Sequence, residues 1–106
     1  MKNIEMSTVL TLRDQVDYRP GQVVSKTLEQ NDAVSLTLFS FDKGEEISTH
    51  ASGGDALVTC LDGVGRITID GKPYEIKAGE SIVMPAGHPH AVYAAERYKM
   101  LLTVIF

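Results

Sequence analysis

Three histidines are the side chains best suited to hold a metal ion or a small molecule in this chain of 106 residues. His88 and His90 stand two positions apart around a proline, directly after a Pro-Ala-Gly turn, and His50 lies forty positions before His90. A neutral imidazole has one nitrogen that binds a metal or accepts a hydrogen bond, and one that donates. These side chains can therefore be metal ligands, contacts to a bound molecule or polar residues of an ordinary small β-protein, and His88 alone fits an exposed loop position.

Two polar side chains follow His50 closely. Ser52 is a weak metal ligand, whereas Asp55 offers a carboxylate. Neighbouring strand residues face opposite sides, so Asp55 reaches the site only if the Gly-Gly pair before it forms a bulge. Otherwise it is a turn residue of the segment SGGDA. The single cysteine, Cys60, is expected to be a small core residue rather than a ligand.

Composition and charge exclude several classes of partner. The net charge is −4, and lysine and arginine form no run, so a nucleic-acid surface is not expected. One cysteine permits no intramolecular disulfide. No apolar run approaches the roughly 20 residues of a membrane helix, and the first fifteen residues lack the apolar stretch of a signal peptide. We therefore expect a soluble cytoplasmic protein with no membrane partner.

Short segments rich in β-branched and aromatic residues, separated by glycine and proline, must position these side chains. This spacing predicts an all-β sandwich or barrel. The clearest hairpin spans residues 65–79, where Asp70-Gly71 supplies the turn. Gly63 and Gly65 predict a further tight turn, and residues 12–17 the one helical turn.

Two strands are apolar on both faces and therefore need cover on both sides. They are residues 34–41 and 98–106; in the second, Phe106 is expected to share a face with Tyr98. Either the N-terminal segment or a partner subunit can supply the cover, and we predict a homodimer. A single domain is expected, with an N-terminal extension and first strands over 1–33 and a barrel over 34–105.

The histidines sit in two spaced patterns of glycine and proline. The pattern around His90 is Gly79, five residues, Pro85, one residue, Gly87, two residues and His90, with Ala94 four positions further on. Proline and glycine turn the chain sharply, and the strand that follows projects alternate side chains to one face. We therefore expect His90 to face the interior of a barrel.

The pattern around His50 is looser. Gly44, five residues and His50 are followed by Ser52, Ala56 and Gly63. Both patterns together resemble the two motifs of the cupins, the RmlC-like jelly-roll superfamily. In that family the places of Ser52 and Ala56 hold a second histidine and a glutamate.

The resemblance covers about residues 34–105 and implies a small double-stranded β-helix, or jelly-roll barrel, with the motif histidines at its mouth. The family site holds a divalent metal with three histidines and one glutamate. Here His50 and His90 are the ligands carried over, and Ala94 replaces a motif asparagine. A metal such as Zn, Fe, Mn or Ni is one expectation, and two metal-free histidines are the other.

Three functions follow from the resemblance. We favour a non-catalytic small-molecule-binding barrel whose site adds Ser52, Asp55 and His88 to the two motif histidines. The alternative is a metal-dependent enzyme of the oxygenase, isomerase or cyclase type, with His50 and His90 on the metal. A dimeric accessory or sensor protein is the third.

Overall fold

The protein is an all-β structure with 58% of its residues in strands. The computed structural model describes all 106 residues. The strands are β1 (Val23–Gln30), β2 (Val34–Phe41), β3 (Glu46–His50), β4 (Asp55–Ile69), β5 (Lys72–Lys77), β6 (Ser81–Met84) and β7 (His90–Ile105), and a 3-10 helix spans Leu12–Gln15. The all-β prediction is confirmed. No helix in the structure is long and apolar enough to cross a membrane.

Two long antiparallel strands, β4 and β7, pair along most of their length and run through both halves of the barrel. The second half of β7 lies between β2 and the first half of β4, and its first half lies between β3 and the second half of β4. β1 extends the sheet beyond β2, while β5 and β6 pair with β4. The sheet therefore folds over itself and encloses one interior.

The interior is filled by alternate residues of these strands, as a period of two requires. Its buried side chains include Phe41, Val58, Ile67, Tyr98 and Met100. Cys60 belongs to the same core and is 1% exposed, so its predicted role as a small core residue is confirmed. Burial raises the pKa of its thiol to about 11.

The N-terminal segment covers the outer face of the sheet. Val16 is buried there with Leu28 and Leu38, and Ile4 and Leu12 pack against them. Polar contacts hold the segment in place, since the Tyr18 hydroxyl donates to Asp62 at 2.5 Å and Lys99 Nζ donates to the Arg13 carbonyl at 2.6 Å. The N-terminal segment of the same chain, one of the two predicted sources of cover, therefore covers this part of the outer face.

The predicted hairpin is confirmed, and its turn residues Asp70 and Gly71 have φ values of +51° and +79°. The predicted turn at Gly63 and Gly65 is wrong, because both glycines lie inside β4 where its pairing with β7 shifts register. There they allow close approach of neighbouring atoms and not a chain reversal. Phe106 follows the end of β7 and is 57% exposed, so its predicted inward position is also wrong.

Candidate ligand-binding site

His50 and His90 are cross-strand partners where β3 and β7 pair. Ile47 pairs with Val92, which lies two positions from His90 on β7, whereas Ile47 lies three positions from His50 on β3. The extra residue is a bulge, and it brings His50 into phase with Ile47. Without it, an offset of three would turn His50 away from the interior.

The two imidazoles meet edge to face. Their Nε2 atoms are 3.2 Å apart, and the ring centroids are 4.3 Å apart with an interplanar angle of 71°. His90 is 2% exposed, whereas His50 stands at the open side. The predicted convergence of these two histidines is therefore present in the fold.

The other nitrogen of each ring faces a backbone carbonyl. His50 Nδ1 lies 2.9 Å from the Ser48 oxygen, and His90 Nδ1 lies 3.2 Å from the His88 oxygen. A carbonyl only accepts, so each Nδ1 carries the single hydrogen of a neutral ring. The two Nε2 atoms then present lone pairs to each other. A hydrogen or a cation from outside the pair would satisfy both.

An added proton on His90 is disfavoured. Burial lowers the pKa of His90 from its ordinary value of 6.5, the nearby His50 lowers it further, and only the hydrogen bond to the His88 carbonyl opposes these effects. A hydrogen-bond donor on a bound molecule, or a metal ion, can satisfy the two Nε2 lone pairs without adding a proton to the His90 ring.

A cavity of about 240 Å³ opens beside the pair. Nine of its twelve lining residues are hydrophobic, and the polar ones are His50, Ser52 and His90. The apolar members larger than alanine are Phe39, Ile47, Met84, Val92, Met100, Leu102 and Val104. The histidine motifs do not indicate this apolar lining, although the alternation of β2 and β7 predicts inward positions for Phe39, Met100 and Leu102.

Asp55 and His88 lie outside this lining. The Asp55 carboxylate accepts a hydrogen bond from the Ala86 amide at 2.9 Å, and the exposed His88 places Nδ1 2.6 Å from the Asp70 carboxylate. Both contacts tie the loop between β6 and β7 to neighbouring turns. These two residues therefore brace the segment that leads into His90.

The residues present do not form the full metal site that the resemblance implies. Two nitrogens on one tetrahedral zinc ion are about 3.3–3.4 Å apart, which the His50–His90 spacing matches. However, no group of three or more histidine, cysteine, aspartate or glutamate side chains converges anywhere in the chain. Catalytic zinc typically has three protein ligands and structural zinc four. Two imidazoles alone make an incomplete site.

The family model for the cupin domain matches residues 37–106. The chain belongs to the cupin family. Its seven-stranded barrel is the cupin jelly roll, as the sequence motifs implied. Many cupins bind a divalent metal ion.

This cupin is similar to several solved structures. A conserved protein of unknown function from Streptococcus pyogenes is 50% identical, with 97% of this chain and 90% of that chain covered and a TM-score of 0.95. A cupin superfamily protein from Desulfitobacterium hafniense is 33% identical, with 99% and 96% covered and a TM-score of 0.94. No curated protein sequence matches significantly.

A more distant likeness shows the shared fold alone. A salicylate 1,2-dioxygenase from Pseudaminobacter salicylatoxidans is 15% identical, with 89% of this chain and 30% of that chain covered and a TM-score of 0.73. That protein is a dioxygenase, and a shared fold does not assign its chemistry to this chain.

Proposed function

We propose that this cupin binds a small, largely apolar molecule inside the barrel, with His50 and His90 as its polar anchor and Ser52 beside them. The observation that carries the proposal is the apolar cavity that opens next to two converging Nε2 atoms. Pockets for drug-sized ligands measure about 300–1,000 Å³, so the occupant is smaller than these. An apolar cavity with a few convergent polar groups is the usual form of a small-molecule site.

Occupancy of the cavity can be tested at its rim. Ala51 is exposed and lines the cavity, so Ala51→Phe should place a ring across the opening and weaken binding of toluene or 4-methylphenol at least about tenfold. Ligand-observed NMR titration measures both probes. Ala86→Phe is the matched control, because Ala86 is also exposed but lies outside the lining. Failure of both probes to bind, or equal binding by Ala51→Phe, would contradict the proposal.

A metal-dependent enzyme is the second candidate, favoured by the match between the Nε2 spacing and zinc coordination. In this case His50 and His90 would hold the ion, and the ion would supply Lewis-acid chemistry toward a substrate. Elemental analysis of untagged protein purified without added metal separates the candidates. The enzyme requires a stoichiometric metal that His50→Ala and His90→Ala each remove, while His88→Ala retains it. The binding barrel requires none.

We also propose that two copies of the chain pair through the part of the outer face that the N-terminal segment leaves exposed, around Leu57 on β4. Leu57 is 39% exposed, and its cross-strand partner Val83 on β6 is 53% exposed. Ile105, on the neighbouring β7, is 56% exposed. Dimer interfaces are enriched in such apolar contacts.

The homodimer is tested by sedimentation velocity at micromolar concentration. We expect a dimer that Leu57→Lys converts to monomer, because a lysine buried in an apolar interface is left unpaired. Tyr74→Lys is the control on β5, where Tyr74 is 37% exposed. A wild-type monomer, or a dimer unaffected by Leu57→Lys, would exclude pairing through this face.

A further inference from the structure

The His50–His90 pair lacks one hydrogen in its neutral form. Three contacts run in series from the Ser48 carbonyl through both rings to the His88 carbonyl. Both ends of the series only accept, so three hydrogens are needed, whereas two neutral imidazoles carry two. The central Nε2–Nε2 contact is therefore the place where a donor from outside satisfies the pair.

We infer that the molecule bound here carries a neutral hydroxyl group that donates its hydrogen to the His50–His90 pair. This inference rests on the proposed binding function and names the chemical class of the ligand. A hydroxyl hydrogen placed at the two Nε2 atoms meets lone pairs on both. Neutral hydrogen bonds of this kind also need no counter-charge in the apolar cavity.

Charged head groups fit the site poorly. A carboxylate would bring further lone pairs to the two Nε2 atoms, and the remaining histidine, His88, already faces Asp70 at 2.6 Å. An ammonium would be buried without an anion, because the Asp55 carboxylate accepts the Ala86 amide and neither aspartate lines the cavity. A buried unpaired charge is strongly unfavourable.

Ser52 can donate a hydrogen bond to the oxygen of a ligand hydroxyl, whereas the two histidines accept the hydroxyl hydrogen. Its Oγ accepts a hydrogen bond from the Gly54 amide at 3.3 Å, and its own hydroxyl hydrogen takes part in no hydrogen bond within the chain. Ser52 lines the same cavity and can donate to a ligand oxygen. A hydroxyl, which both donates and accepts, matches the polar groups on this wall.

The size of the cavity indicates the rest of the molecule. An engineered apolar cavity of about 150 Å³ accommodates benzene. The cavity here, about 240 Å³, therefore has room for one ring with a few substituent atoms. A phenol or a cyclic alcohol of this size is the class that the geometry favours.

A series with one apolar body and different head groups tests the inference. Metal-free protein is titrated by calorimetry with 4-methylphenol, 4-methylanisole and 4-methylbenzoate. We expect 4-methylphenol to bind about tenfold more tightly than 4-methylanisole, because one net hydrogen bond changes an affinity by about this factor. We expect 4-methylbenzoate to bind most weakly. His50→Leu should weaken the preference for the phenol, and adding His90→Leu should abolish it, because either Nε2 alone can still accept the hydroxyl hydrogen. His88→Ala should leave the preference unchanged.

The outcomes separate this inference from the proposed function. Equal binding of the phenol and the anisole by the wild-type protein overturns the inference and leaves an apolar binding barrel. Strongest binding of the benzoate also overturns it, because a positive group would then have to face the cavity. No binding by any of the three removes both. A full phenol preference in the His50→Leu/His90→Leu double variant shows that the hydroxyl is recognised elsewhere and overturns the inference.

Discussion

Gly63→Ala should strongly destabilise the fold. A Cβ atom at this position would overlap the carbonyl oxygen of Arg97, and φ at Gly63 is +74°, where side chains are unfavourable. Arg97 O belongs to the backbone of β7, so relief requires the two long strands to separate. We expect a loss of at least about 4 kcal/mol, a large part of the about 5–15 kcal/mol that stabilises a domain.

Gly71→Ala is the matched control for this prediction. Gly71 has a similar φ of +79°, but nothing lies within 4 Å of the added methyl group. Only the conformational penalty remains, about 1–2 kcal/mol. Urea unfolding of both variants at 25 °C measures the difference. If the two substitutions cost the same, steric contact between β4 and β7 is not what requires glycine at position 63.

Tyr98→Ala should produce the second large effect. Tyr98 is fully buried, its ring centroid lies 5.5 Å from that of Phe41, and it packs over Gly65, where a Cβ would come within 2.7 Å of the ring. Truncation of a large buried aromatic side chain costs about 3–5 kcal/mol, because the transfer free energy is lost and a cavity remains. The same urea unfolding experiment measures this loss.

Tyr98→Phe separates the ring from its hydroxyl. The hydroxyl has only Met100 Sδ as a partner, at 3.4 Å, and a thioether sulfur is a weak acceptor. Removing it should cost about 1 kcal/mol or less. A Phe variant as unstable as the Ala variant would show that the hydroxyl, and not the packed ring, holds this part of the core together.

Local patterns predict much of this barrel. The 65–79 hairpin follows from alternation and a turn with the required chemistry, and the inward direction of His90 follows from a turn directly before a strand. Pairing between distant segments is less visible in the sequence. The bulge that brings His50 into phase with Ile47 is defined by the pairing of β3 with β7, so the local sequence around His50 does not predict it.

Glycine has two uses that a sequence does not distinguish. At Gly71 it supports a turn, whereas at Gly63 it lets two strands approach closely inside an uninterrupted β4. The contacts of the Asp55 side chain could not be predicted from the sequence for a similar reason. Its partner, the amide of Ala86, lies on a loop that meets it only after β6 has paired with β4.

The central position of β7 has a consequence for how the chain acquires its structure. β7 is the last strand along the chain, yet it is the neighbour of β2, β3 and β4. During synthesis these earlier strands leave the ribosome before their shared partner exists, so their edges stay unpaired until residues 90–105 emerge. Folds dominated by such distant pairings form over about milliseconds to seconds. Nascent chains that pause before residue 90 should therefore be susceptible to proteolysis and dependent on chaperones.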